Sequence, residues 1–435
     1  MAPLVKRCWA TGFSLRRRIS AGSRNFADGK LSAAAQMTMS TCVDSSPRSR
    51  KTSPWLMLPP VIEDGGDTVY KFYNLSEDKE KSFRRKSEQE LAEDDAKFVG
   101  SSHGWLALLN QRNNNNLFLY NPITRRHIKL PPIGNLPDPK INLTPDGRRG
   151  SVYKLILSSS PDDDECIAMM IFGLERRLAF CHPCRSTEWT PIGELYYRLI
   201  SQNFPMLDGV IGIFPRSYVD IVYSSTQKLF FCQTLSTMEL ECWDLANSLS
   251  PRIHSSWKFC RSDYSKKLMG WTEAKRQVNL VYSEEYNQLF IVMRYVMKRM
   301  SPDGSYVHPI YYGKYRGWDN SSPYGTIGFD AYKFDFGVEK PQLVKGSLDG
   351  LSMFIGINHS IAMPITPKSK LNPNCIYYTD SNRNSVPPSS LYGGHDIGIF
   401  DYTNRTISPC YNFPVDVESI KRIMPAPMWF TPSHR

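Results

Sequence analysis

The chain has 435 residues, of which 41% are hydrophobic, 12% aromatic and 22% charged, enough apolar side chain to fill a large core and too much for a wholly disordered protein. Its formal net charge of +11 is uneven, because residues 1–52 hold ten Lys and Arg against Asp28 and Asp44 and so leave only +3 for the rest. That removes the usual electrostatic signature of a nucleic-acid-binding domain. Ten cysteines are too few for a secreted disulfide scaffold of this length, and no run reaches the ~18 apolar residues of a spanning helix, so membrane insertion is not expected.

In chain order, the first element is an address. Met1 to Ala27 contains no Asp or Glu, while Lys6, Arg7, Arg16, Arg17, Arg18 and Arg24 lie among Ser, Ala and Gly. Val5, Trp9 and Phe13 recur every four residues and would share one face of a helix. Arg16-Arg17-Arg18 interrupts any secretory apolar core, so the composition is that of a mitochondrial transit peptide, 1–26, with cleavage near Ala27 after Arg24-Asn25-Phe26. Cleavage there removes six positive charges and leaves +5. The same composition also fits a chloroplast or dual address. A Ser/Arg/Pro linker follows, 27–53.

From residue 54 to 432 the chain reads as strands. The runs Val152–Leu157, Ile167–Phe172, Arg177–Cys181, Val219–Tyr223, Leu229–Cys232 and Leu240–Leu245 are short, rich in β-branched or aromatic residues, and bounded by turn residues. Asn113–Asn116, Ser224–Gln227 and Glu284–Asn287 supply turns. One unit recurs: Asp220-Ile-Val-Tyr-Ser224 before Lys228-Leu-Phe230 matches Asn279-Leu-Val-Tyr-Ser283 before Gln288-Leu-Phe290. Repetition of this kind is the mark of stacked antiparallel blades, and its spacing of about sixty residues exceeds the ~40–50 of a standard blade, so long loops are implied. Residues 300–327 read as one such loop, and Glu77–Asp95, charged and free of Gly and Pro, as a helical insertion near 77–95. The expected fold is all-β: a single propeller of five to seven blades, six preferred, closed by pairing a strand near Trp55–Leu58 with the segment near Trp429.

Each local motif has a structural reading beside its chemical one. Cys181-His182-Pro183-Cys184 has redox or half-zinc-site spacing, but it follows a strand rather than opening a helix, and no second Cys-x-x-Cys accompanies it, so a turn is expected. His395 and Asp396 in Gly393-Gly-His-Asp396 are adjacent on an extended segment and point to opposite faces, which separates them as a catalytic pair. His103 and His359 read as turn or blade hydrogen-bonders. Trp105, Trp189, Trp243, Trp257 and Trp271 read as packing between blades. No nucleophile elbow, phosphate loop or metal-ligand series is present.

Several of these runs together resemble the plant family known as domain of unknown function 295, the KIB-type β-propeller. They are Gly100-Ser-Ser-His-Gly-Trp-Leu106, Tyr120-Asn-Pro-Ile-Thr-Arg-Arg126 with Leu130-Pro-Pro132, Val222–Phe230, Asn358-His-Ser-Ile361, Gly393–Phe400 and Met428-Trp-Phe-Thr-Pro432. Many members of that family carry an N-terminal F-box. Residues 1–53 lack its Leu-Pro start and periodic apolar positions, so the resemblance implies an organellar branch without the F-box and without a route to a ubiquitin ligase. The expected function is a non-enzymatic, monomeric protein-interaction or regulatory module, with no catalytic, cofactor or metal residues assigned, its binding residues unassigned and its protein partner unidentified. Nucleic-acid binding is disfavoured. The rival readings are an organellar RNA-binding accessory protein using Arg125, Arg126, Lys129, Arg148 and Arg149, a substrate receptor that has lost its F-box, and an enzyme using the central channel.

Overall fold

The computed structural model describes residues 53–433 except 65, 87–95, 111–115, 137–151, 194–195, 201–210, 236–238, 248–249, 259–273, 299–323, 368, 382–391 and 412–421. The expected turn at Asn113–Asn116 therefore falls outside them up to residue 115, as do the transit segment, Trp271, Arg148 and Arg149.

Strands account for nearly all regular structure. The first group holds β1 (Trp55–Met57), β2 (Val61–Ile62), β3 (Thr68–Asn74) and β4 (Lys79–Arg85). The second is β5 (Ala96–Ser102), β6 (Trp105–Asn110), β7 (Asn116–Asn121) and β8 (Arg126–Lys129), and the third is β9 (Val152–Leu157), β10 (Ala168–Phe172), β11 (Arg177–Cys181) and β12 (Thr190–Ile192). A separate hairpin, β13 (Tyr196–Ile200) with β14 (Ile211–Pro215), precedes the fourth group of β15 (Tyr218–Ser224), β16 (Leu229–Thr234), β17 (Glu239–Asp244) and β18 (Arg252–Lys258). The fifth is β19 (Lys275–Ser283), β20 (Gln288–Lys298), β21 (Tyr324–Asp335) and β22 (Lys340–Leu343). The sixth holds β23 (Leu351–Ile355), β24 (Ile361–Pro364), β25 (Cys375–Tyr378), β26 (Gly398–Asp401) and β27 (Thr406–Ser408). The fifth and sixth are joined by a single parallel pair, Tyr282 with Ile361.

The last strand, β28 (Met428–Phe430), returns to the first group and pairs antiparallel with β1: Trp55 opposite Phe430, Leu56 opposite Trp429, Met57 opposite Met428. Because alternate side chains leave a strand on opposite faces, this pairing feeds two cores at once. Trp55, Met57, Met428 and Phe430 pack with β5–β7 residues such as Phe98 and Leu106. Leu56 and Trp429 pack with Phe354, Cys375 and Tyr377 of the sixth group. Other buried clusters join the second group to the third, the third to the fourth, the fourth to the fifth and the fifth to the sixth. The core is a closed circuit of sheet-to-sheet interfaces, and the fold is a β-propeller.

Trp105 and Trp189 sit in the interface between the second and third groups, and Trp243 in that between the third and fourth; Trp257 packs against Phe334. The expected helix at 77–95 is corrected within its described part. Residues 75–78 form a turn, and Lys79–Arg85 is an outer strand paired with β3. An outermost strand is paired on one side only and faces water, so its charge alternation reads like a helix surface. Phe83 stacks on Trp55, and the Lys81 ammonium lies 4.5 Å over the same ring. The expected loop 300–327 is shorter at its C-terminal end, because Tyr324–Ile327 opens β21.

Gly100 explains its own motif. A Cβ there would sit 2.0 Å from the Leu155 carbonyl oxygen, so glycine permits β5 and β9 to approach at the axis. The next turn, His103-Gly104, is left-handed at both residues, with φ of +50° and +83°.

Candidate functional site

The innermost strands run in one sense. Their early residues meet one another, as where the Lys154 ammonium of β9 donates to Asp220 of β15 at 2.5 Å, and so do their ends, as where Ser102 of β5 meets the Leu157 backbone of β9. The ring therefore has two unlike ends. Where the inner strands finish, most connections are tight: 103–104, 225–228 and 284–287, with the outer-strand turns 122–125, 336–339 and 402–405. Where they begin lie the longest connections, 130–151, 193–217 with its hairpin, 259–274 and 299–323, beside the short ones at 173–176 and 235–238.

The tight end is built from a repeated device. Asn121 Oδ1 accepts from the backbone of Ile123 and Thr124, Asp335 from Gly337 and Val338, and Asp401 from Thr403 and Asn404. Each turn ends on a left-handed residue: Arg125, Glu339 and Arg405. Neighbouring turns are stitched together by Glu284, which accepts from the backbone N–H groups of Ser225 and Thr226.

The centre is filled by the β23–β24 hairpin. Its tip carries Ile357, Asn358, His359 and Ser360, and His359 reaches two other sheets. The His359 backbone N–H donates to Ser101 O, Tyr223 N–H donates to Nε2 at 3.2 Å, and Nδ1 lies 3.4 Å from Ser102 Oγ. Nε2 also lies 3.3 Å from Tyr223 O, and the Ser102 hydroxyl donates to Leu157 O. Burial pushes His359 down to about 3 and His103 to about 4; their rings stand 5.9 Å apart. Both are neutral at pH 7 and serve as internal ties.

Asp220 bonds Lys154 through one oxygen and the Leu280 N–H, at 2.7 Å, through the other. Burial raises its carboxyl above the usual range, and Lys154 pulls it back. Around this pair lies a cavity of about 270 Å³ at the long-connection end, lined from four sheets. Tyr153, Lys154 and Arg176 come from the third group, Val219, Asp220 and Leu235 from the fourth, Lys275–Asn279 from the fifth, and Gly356, Ile357 and Ser381 from the hairpin tip and the sixth. The titratable side chains of the cavity lining are the Lys154–Asp220 pair with Tyr153, Arg176, Lys275 and Arg276, while the neutral imidazoles of His103 and His359 lie outside that lining.

His395 and Asp396, just before β26, take different partners. The His395 Nε2 donates to Tyr324 O at 2.9 Å, whereas Asp396 takes the Arg294 guanidinium at 2.8 Å and the Thr326 N–H at 3.0 Å, clasping the fifth and sixth groups. Cys181 is buried at the end of β11 and Cys184 is exposed in the following turn; both are free thiols, and His182 bonds Cys166 O at 3.1 Å. Among the described residues no cluster of His, Cys, Asp and Glu is arranged to hold a metal. No helix among them is long and apolar enough to cross a membrane. Of the basic patch, Arg125, Arg126 and Lys129 are exposed at β8, but Arg126 is engaged by Asp162 at 2.6 Å and lies over Trp105.

A ring of sheets with tight turns at one end, long connections at the other and a plugged centre defines a β-propeller, a fold that commonly serves as a protein-interaction module. The KIB1-4 beta-propeller family model matches residues 72–401, and the chain belongs to that family. No curated protein matches the chain. Among solved structures, the Myceliophteria thermophila Cps50 (Swd1) β-propeller domain is similar at 10% identity and a TM-score of 0.33, covering 82% of this chain and 88% of that one. The Dos1 propeller is similar at 10% identity and 0.33, with 74% of each chain covered. KlAtg21, in complex with the coiled-coil of AgAtg16, is similar at 10% and 0.31, covering 68% and 81%.

Proposed function

We propose that the chain is a six-bladed, non-enzymatic and monomeric propeller that docks a protein partner in the mitochondrion through its long-connection end. Six blades follow from taking the fifth and sixth groups, which share one residue pair, as separate sheets. The supporting observation is the inequality of the two ends: tight, mutually bonded turns leave little to vary, whereas long connections on a rigid ring are where binding residues gather. The address rests on the acid-free, Arg-rich segment before Ala27. We place the chain in the organellar branch of the domain of unknown function 295 family.

A photo-crosslinking residue at Leu235, exposed beside the cavity, is expected to capture one partner in intact mitochondria. The same residue at Tyr286 or Val338, exposed on tight turns, is expected to capture none. Equal capture from both ends would overturn the docking face. A fluorescent protein fused after residue 53 that stays in the cytosol would overturn the address.

A further inference from the structure

One pair of strands belongs to none of the six groups. Within the long connection 193–217, β13 and β14 pair antiparallel from Tyr196 opposite Pro215 to Ile200 opposite Ile211, and among the described residues no other strand pairs with either. A two-stranded sheet standing alone is at best marginally stable in water, and each of its strands leaves one edge of backbone donors and acceptors unpaired.

Both roots of this hairpin are held at one place. A Cβ on Gly193, whose φ is +86°, would sit 2.7 Å from the Tyr218 hydroxyl oxygen, so glycine lets the chain pass there. That hydroxyl donates to Glu241 at 2.8 Å, and Arg216 Nε donates to the other oxygen of the same carboxylate at 2.7 Å. Trp243 Nε1 donates to Glu241 at 2.9 Å, Arg216 reaches Glu239 at 3.1 Å, and Glu241 is fully buried. The hairpin thus leaves the ring from a fixed base, which lowers the ordering cost of binding through it.

The two edges are unequal. Pro215 has no N–H to give, so Tyr196 and Pro215 cannot be a pair that exchanges both hydrogen bonds, and the ladder bonds fall at Tyr197 with Phe214 and at Leu199 with Gly212. The outward N–H groups of β13 are therefore those of Tyr196, Arg198 and Ile200, whereas the outer edge of β14 lacks a donor at Pro215. The two strands include Arg198 and no Asp or Glu.

We propose that β13 is a docking edge to which a protein partner adds an extended segment as a third, antiparallel strand, with an acidic residue opposite Arg198 and β-branched apolar residues on either side of it. Main-chain bonds to Tyr196, Arg198 and Ile200 hold the segment, and the opposite charges set its register. The proposal rests on the docking reading of the long-connection end and names how the partner engages it.

The test is fluorescence anisotropy of the full chain with the labelled peptide Thr-Val-Glu-Val-Thr-Val, read beside amide hydrogen exchange. Saturable binding is expected, with slowed exchange at Tyr196, Arg198 and Ile200. Arg198→Pro removes one outward donor without touching the β13–β14 ladder, and binding is expected to weaken about tenfold or more. Arg198→Gln removes the charge alone and is expected to weaken it about twofold. The same peptide N-methylated at Glu and at the second Thr cannot donate to β13 and is expected not to bind, so the outcome does not hang on the folding of Arg198→Pro. The proposal is overturned if the peptide does not bind saturably, if its N-methylated form binds equally, if Arg198→Pro binds as the wild type does, or if phosphatidylglycerol vesicles bind where the peptide does not. Capture of one partner from Leu235 that is undiminished in Arg198→Pro would overturn strand addition and leave the docking face standing.

Discussion

Lys154→Met isolates the energetics of the ring's centre. The Lys154 and Asp220 side chains are 6% and 5% exposed, and the carboxylate keeps only neutral backbone donors, Leu280 and Ile221, when the ammonium is removed. Breaking a buried pair by deleting one partner leaves an uncompensated charge and costs about 3–5 kcal/mol. The effect has a pH signature. Burial already holds the folded carboxyl of Asp220 above its usual range, and loss of Lys154 removes the main opposing influence, so the folded value rises further. A carboxyl raised on folding contributes stability that is full below the unfolded value, about 3.9, and is lost as pH rises through the folded one. The deficit of the variant relative to the wild type therefore shrinks between pH 7.5 and pH 5, by up to about 1.4 kcal/mol per pH unit within that window. Urea unfolding followed by tryptophan fluorescence at both pH values measures it. Lys154→Met with Asp220→Asn keeps an acceptor for Leu280 and is expected to recover most of the loss. A deficit below about 1 kcal/mol, or one equal at both pH values, refutes the reasoning.

The buried imidazoles give the opposite dependence. His359 and His103 titrate at about 3 and about 4 in the fold against about 6.5 unfolded, so the stability they contribute is full above pH ~6.5 and falls as pH drops toward the folded values. His359→Gln keeps an acceptor for Tyr223 and is expected to flatten the acid limb of a stability–pH curve by up to about one proton; an unchanged slope contradicts the placement. Cysteine reactivity should follow burial. Among the seven described cysteines, Cys184 is exposed, whereas burial raises Cys166 and Cys375 to about 11 and Cys242 and Cys410 to about 12. Brief alkylation of the native protein is expected to label Cys184 alone of those seven, and a Cys181–Cys184 disulfide in peptide maps would count against the structural turn.

What the sequence made legible is what depends on local pattern. Val152–Leu157 and Arg177–Cys181 are strands with the anticipated bounds, and the Tyr-Ser units end inner strands at Ser224 and Ser283. The meeting of Trp55–Met57 with Trp429 was legible because a ring of sheets leaves two terminal apolar segments with no other partner. Lys79–Arg85 was misread because its pattern reports water on one face rather than its hydrogen bonds. A second repeat has too little residue identity to stand out in the sequence: Asn121-x-x-x-Arg125, Asp335-x-x-x-Glu339 and Asp401-x-x-x-Arg405 share a turn whose first side chain caps the backbone and whose fifth residue is left-handed. The cavity had no local signal, since Arg176 and Lys275 lie about a hundred positions apart and meet only when the ring closes. The His359 tie escaped for the same reason, its partners being Ser102 and Tyr223.

Closure is the claim on which the docking face and the cavity both rest, and amide hydrogen exchange tests it directly. In the full chain, Trp55–Met57 should be as protected as the inner strands of the other sheets. In a chain ending at Ala426, which lacks β28, that protection should fall together with that of Tyr70–Tyr73, while Tyr218–Ser224 keeps its own. Retention of full protection at Trp55–Met57 after removal of β28 would show that the two ends of the chain do not close the ring.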